Sequence, residues 1–306
     1  MDNTSISKHL GQISEYKDQY DPSLLVREPR ASNRIHLNID DDTPPFVGSD
    51  TWNNYEVSAL TDTGMPVVSV AKIVYSACNK FIVESKSLKL YFNTFNMTKM
   101  GSDSYTVRRN IERLASEDLS KLLETKVEVE LFSDFVTRQI NLSPKNEWMD
   151  YSTPQFITLE EDSHSIENID VTVYDETPSL LEVVKGGDPD SVYAFHSALL
   201  RSRCRVTQQP DTGDVYIWYK GGSTVTRQSL LKYIISFRNE CHFHEEICEA
   251  IYKRLWDMLK PESLVVRCLY ARRGGIDINP ERASDIKFIH NTLSIVNIPH
   301  VKTSKQ

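Results

Sequence analysis

One order of secondary-structure signals runs through this chain twice, and that repetition constrains the fold more than any single motif does. In the first run, Val67-Val68-Ser69-Val70-Ala71-Lys72-Ile73-Val74-Tyr75 is rich in β-branched residues, and Lys80-Phe81-Ile82-Val83-Glu84 follows a short polar break. Together they predict a strand pair. Leu88, Tyr91, Phe92 and Phe95 recur at helical spacing, and Val107, Ile111 and Leu114 mark one face of a second helix near Ser104 to Glu124. Lys126 to Leu131 alternates again and opens another strand pair, which Gln155 to Leu159 or Ile169 to Tyr174 completes. The predicted order is ββααββ.

The second run repeats it. Arg201 to Gln208 and Asp214 to Tyr219 flank Gln209-Pro210-Asp211-Thr212-Gly213, whose turn formers predict a hairpin there. Leu230, Leu231, Ile234 and Phe237 mark one helix, and Ile247, Ile251, Leu255, Met258 and Leu259 the next. Ser263 to Arg273 reads as a strand, Gly274-Gly275 turns the chain, and Ile276 begins the last strand. At a constant offset of 142, Ser87-Leu88, Tyr91-Phe92 and Thr94-Phe95 fall on Ser229-Leu230, Tyr233-Ile234 and Ser236-Phe237. Breakers concentrate between Glu176 and Asp190. The expectation is an α+β protein with an arm over 1–50, a first module over 51–176 and a second over 177–306. Each module has an antiparallel sheet with two helices on one face.

At 306 residues the chain is long enough for two cores, and 40% apolar with 25% charged residues is the composition of an ordinary globular protein. A net charge of -8 argues against direct binding of nucleic acid. No run approaches the roughly 18 apolar residues that a membrane helix needs. Cys78, Cys204, Cys241, Cys248 and Cys268 are odd in number and scattered, which fits a reducing compartment, so a cytoplasmic location is expected.

Three clusters carry chemistry-bearing residues. Cys204 lies in Arg201-Ser202-Arg203-Cys204-Arg205, where cationic neighbours favour a thiolate, and Asp211 follows across the predicted turn. A buried strand cysteine and a turn-forming aspartate explain the same letters. In Cys241-His242-Phe243-His244-Glu245-Glu246-Ile247-Cys248, the residues Cys241, His244 and Cys248 have the spacing of a shared helical face that could hold a metal. Alternatively, Glu245 in a first helical turn can accept two hydrogen bonds from an N–C–N edge, or simply stabilise the helix start. In Glu84-Ser85-Lys86-Ser87-Leu88-Lys89, the serines, lysines and free N–H groups of a helix start suit a phosphate, and equally a plain N-cap. Arg272-Arg273-Gly274-Gly275 offers a similar choice. Neither the Rossmann nor the P-loop glycine pattern occurs.

Taken together, Glu84 to Tyr91, Cys204 with Gln209-Pro210-Asp211, Phe243-His244-Glu245, and Arg272-Arg273-Gly274-Gly275 with Asp277-Ile278-Asn279-Pro280 resemble the NADPH-dependent 7-cyano-7-deazaguanine reductases. These are nitrile-reducing enzymes of queuosine biosynthesis. The resemblance is to the long, two-module branch and runs from Tyr20-Asp21-Pro22 to the last strand. It implies tandem tunnelling-fold (T-fold) modules assembling as a homodimer, with NADPH as cofactor, no metal and a small deazapurine as substrate. It also implies that Cys204 attacks the nitrile to form a thioimide, Asp211 donates protons and His244 assists. Val83, Glu84, Ser85, Phe243, His244 and Glu245 would bind the substrate; Ser85, Lys86, Arg273 and Gly274 would hold the cofactor. Proton donation favours a raised pKa for a partly buried Asp211. Two rival expectations are a zinc-dependent pterin-type cyclohydrolase on the same fold and a purine-binding module without catalysis.

Overall fold

The first long helix starts at Ser85 and its counterpart at Arg227, 142 positions on, so the repeat read from letters is a repeat of structure. A computed structural model describes residues 17–133, 156–205 and 207–289. In chain order the strands are β1 (Arg27–Pro29), β2 (Val47–Leu60), β3 (Pro66–Ser76), β4 (Phe81–Val83), β5 (Val127–Phe132), β6 (Ile157–Thr158), β7 (Val183–Val184), β8 (Val192–Arg203), β9 (Pro210–Lys220), β10 (Thr224–Val225), β11 (Ser263–Tyr270) and β12 (Ile276–Ala283). The long helices are α1 (Ser85–Asn93), α2 (Ser104–Leu123), α3 (Arg227–Ser236) and α4 (His244–Leu259).

Eight strands form one sheet in the order β5-β3-β2-β12-β11-β9-β8-β6. The architecture is α+β, as expected. The second half runs β8-β9-α3-α4-β11-β12, the full predicted order. Its last strand pairs antiparallel with β2 along its whole length, from Ile276 opposite Asn54 to Ala283 opposite Val47, and so joins both halves in one sheet.

Each half keeps its own apolar cluster. Leu88, Tyr91, Phe92 and Phe95 of the α1 region pack with Val107, Ile111 and Leu119 of α2 against Ala71 and Ile73. Leu230 and Ile234 of α3 and Ile247, Ile251 and Leu255 of α4 pack on Val215, Ile217, Leu264 and Val266. Full burial of each such side chain contributes about 1.5–3 kcal/mol. Helix starts are fixed by side-chain caps: Glu84 accepts from the N–H groups of Lys86 and Ser87, Asp103 from Tyr105 and Thr106, and Thr226 from Ser229.

Several expectations are corrected. The β3 strand pairs with β2, which the sequence reading split between arm and first module, while β4 pairs with β1 of the arm. The Ile157–Thr158 segment does not pair with β5; it lies parallel to β8 at the opposite edge of the sheet. Residues 169–174 form no strand, and Gln155 lies outside the described residues. The β8–β9 turn spans 204–209, earlier than expected, closed by Cys204 N–H to Gln209 O (2.9 Å) and Gln208 N–H to Cys204 O (3.0 Å). Gln208 takes the left-handed bend (φ 58°), so Pro210-Asp211-Thr212-Gly213 is released into strand. Gly213 is required there, because a Cβ would stand 2.9 Å from the Leu269 carbonyl oxygen of β11. The arm is integral too: Leu37, Ile39 and Phe46 belong to the second cluster. No helix among the described residues is long and apolar enough to cross a membrane.

Candidate active site

Four chain segments, brought together by the β2–β12 seam, enclose a cleft of about 450 Å³. They are the start of α1, the start of α4, the β8–β9 turn and the β11–β12 turn. Ten of the eleven expected residues line it: Val83, Ser85, Lys86, Cys204, Asp211, Phe243, His244, Glu245, Arg273 and Gly274. The eleventh, Glu84, is fully buried behind the wall, where its carboxylate caps α1 through Lys86 N–H (2.9 Å) and Ser87 N–H (2.8 Å). Those N–H groups are therefore not free for a phosphate, which corrects the expected cradle. Any anion at this end meets the side chains of Ser85 and Lys86 instead.

Cys204 sits just past β8, and Asp211 lies in β9 opposite Ser202, so the hairpin end carries both into the cleft. The Asp211 carboxylate is held from two sides, by the Arg273 guanidinium at Oδ1 and by His244 Nε2 at Oδ2 (3.4 Å). His244 is in turn fixed by stacking on Tyr270, with ring centroids 3.8 Å apart and planes 8° from parallel. Burial pushes the Asp211 carboxyl up, but His244 and Arg273 outweigh it and hold it below the ordinary 3.8. The expected raised pKa is thus overturned: in this site Asp211 is held as a carboxylate. Arg205 pairs with Glu246 (2.8 Å) and lies over the Phe243 ring (5.0 Å), which sets the ring's orientation.

Glu245 has the opposite character. It is 2% exposed, and its Oε1 has no hydrogen-bond partner among the described residues. Burial first, then the negative charge of Asp50, push its carboxyl up to about 8. His244 Nδ1 is likewise buried without a partner. Unsatisfied polar atoms at the wall of a cleft fit a ligand that supplies the missing partners.

One turn further along α4, Glu249 anchors a buried charge network that the sequence reading missed. Arg34 reaches it through Nε (3.0 Å) and Nη2 (2.8 Å), Arg282 through Nε (3.2 Å) and Nη2 (3.0 Å). Arg282 also donates to Asp50 (2.8 Å), which Arg30 contacts from the arm. Trp52 of β2 is a second missed residue of the cleft wall. The sequence reading placed a boundary at 50/51, inside the strand that carries it.

At the mouth, the Gly274-Gly275 turn forms as predicted, with positive φ at both residues (55° and 81°) and Arg273 N–H bonded to Ile276 O (2.8 Å). Lys89 bridges it to α1 through Gly274 O (2.7 Å) and lies 3.2 Å from Glu56. Lys86, Lys89 and Arg273 thus give this end of the cleft a cationic rim. The metal alternative loses its geometry. Cys241 precedes α4 and faces Gln208 Oε1 (3.1 Å), His244 faces Asp211, and the buried Cys248 thiol faces Val266 O (3.5 Å). Among the described residues no cluster could hold a metal ion.

A cysteine, a carboxylate–imidazole pair, a buried acid and a cationic rim line one cleft, a combination suited to an enzyme site. Comparison with known proteins gives the particular family. Residues 16–131 match the family described as nitrile reductase, 7-cyano-7-deazaguanine-reductase N-term, and residues 210–287 match the one described as QueF-like protein. An NADPH-dependent 7-cyano-7-deazaguanine reductase of Legionella pneumophila (strain Lens) is 40% identical over 285 residues, 92% of each chain. One from Colwellia psychrerythraea (strain 34H) is 36% identical over 288 residues, 93% of this chain and 94% of its own. The chain belongs to the 7-cyano-7-deazaguanine reductase family. The apo crystal structure of an archaeosine synthase described as QueF-like covers 33% of the chain at 14% identity and a TM-score of 0.29, too distant to bear on the fold.

Proposed function

We propose that this chain reduces the nitrile of 7-cyano-7-deazaguanine to the aminomethyl group with NADPH, as a step of queuosine biosynthesis. The observation that carries it is the convergence of Cys204, the Asp211–His244 pair and Glu245, whose Oε1 has no partner among the described residues, on one cleft. The ionised Glu245 carboxylate accepts two hydrogen bonds from the amino and ring N–H groups of the deazaguanine edge. Phe243, held by Arg205, supports the ring face, with Val83 and Ser85 beside it. Glu84 acts from behind, by holding the helix start on which Ser85 stands.

Cys204 Sγ adds to the nitrile carbon: a C–S bond forms and one C–N π bond breaks. The thiol proton passes to the Asp211 carboxylate and from there to the nitrile nitrogen. Asp211 is thereby recharged as a carboxylate between proton deliveries, with His244 as its relay. The rim suits the cofactor: Lys86 and Arg273 bring positive charge for phosphates, while Ser85 and Gly274 border the same space. NADPH supplies the hydrides, two for the four-electron change from nitrile to amine. The apolar walls of Ile276, Ile278 and Val83 keep water from the partly reduced substrate.

The same reading places the chain in the cytoplasm, with two modules of T-fold type, and assembles it as a homodimer without direct contact to nucleic acid. Its test is stoichiometry. The full chain should oxidise two NADPH per nitrile consumed, followed at the nicotinamide absorbance, and Cys204→Ala should oxidise none. One NADPH per nitrile, or turnover that survives Cys204→Ala, would reject the mechanism.

A further inference from the structure

We propose that the indole N–H of Trp52 recognises the ring carbonyl oxygen of the substrate and makes the site specific for an oxo-deazapurine. This rests on the reductase reading above. Trp52 stands in β2, opposite Ile73 on one side and Ile278 on the other, and is one of the residues that line the cleft. It is 1% exposed, and Nε1 is buried with no hydrogen-bond partner among the described residues. An indole N–H can only donate, so only an acceptor can satisfy it. The neighbouring wall, Val83, Ile276 and Ile278, has no side-chain acceptor to offer.

Two other buried atoms of the same cleft are unpartnered, Glu245 Oε1 and His244 Nδ1. Three such atoms on residues that line one cleft have the pattern of a ligand's complement. With Glu245 holding the amino and ring N–H groups of the deazaguanine edge, the acceptor adjoining that edge is the carbonyl oxygen. A dry wall donor beside it rewards that oxygen, and is left stranded by a ring that has a poor acceptor there.

The test is calorimetric binding to the full chain without NADPH, in a Cys204→Ala background so that no covalent step intrudes. The ligands are 7-cyano-7-deazaguanine and its 6-thioxo analogue, which keeps the ring N–H but offers sulfur, a weaker acceptor. Trp52→Phe keeps an aromatic ring and removes the donor. It should weaken binding of the oxo ligand by about three- to tenfold, the worth of one neutral hydrogen bond, and change binding of the thioxo ligand far less. Unchanged affinity for the oxo ligand, or equal weakening of both ligands, overturns the assignment. If Trp52→Phe lacks the parent's circular dichroism spectrum, the Trp52 protein's own choice decides: no preference for oxygen over sulfur overturns the assignment. If the Trp52 protein binds neither ligand, the reductase reading fails first, and this inference falls with it.

Discussion

Asp211 and Glu245 are both buried at one cleft, yet their surroundings push them to opposite protonation states. Asp211 gains His244 and the Arg273 guanidinium as partners and stays ionised; Glu245 meets burial and the charge of Asp50 and carries a proton at neutral pH. Because the substrate edge needs the Glu245 carboxylate, binding must release that proton. Affinity for 7-cyano-7-deazaguanine should therefore tighten as pH rises towards about 8, by up to roughly tenfold per unit, and Glu245→Gln should weaken binding and flatten the profile. Stability of the free protein has the reverse dependence on this group. A folded pKa above the ordinary 4.5 contributes stability that is lost as pH climbs through about 8, whereas the Asp211 contribution is lost in acid, as pH falls through its depressed value. Asp211→Asn should slow both adduct formation and reduction, by about 10²- to 10⁴-fold in stopped-flow traces. The motif letters located both carboxyls, but their charge states were not legible, because the partners that fix Asp211, His244 and Arg273, come from 33 and 62 positions downstream.

The helix that presents Glu245 is gripped from the arm. Arg34 makes a two-pronged contact with Glu249, and Arg30, Asp50 and Arg282 complete a network in which every member is at most 3% exposed. Removing one partner leaves a buried charge unmatched. Arg34→Ala should lower unfolding free energy by about 3–5 kcal/mol in a denaturant titration. Arg34→Lys should recover little of it, since one ammonium cannot reproduce the guanidinium fork. This element-level device was invisible in the sequence, where an arginine in a stretch without periodicity reads as a solvated surface charge. Helices were legible for the opposite reason: Leu88, Tyr91, Phe92 and Phe95 declare a buried stripe at short range, and all four are fully buried. Strand partners are set over long range, which is why β4 was assigned to β3 although its contact is with β1.

At the scale of the molecule, the repeat gave the two halves but not the seam. The β12 strand closes the second half and also pairs with β2, so neither half has a complete sheet edge without the other. The seam also sets Glu245 and Cys204 of one half across from Ser85 and Lys86 of the other, which makes the cleft a property of the whole chain. The central claim is that Cys204 bonds to the nitrile carbon within that cleft. Intact-protein mass after incubation with 7-cyano-7-deazaguanine alone tests it most directly. One substrate mass should be added per chain, absent in Cys204→Ala and lost on adding NADPH. A folded, substrate-binding protein whose mass does not change, or a Cys204→Ala chain that still gains the adduct, would contradict it.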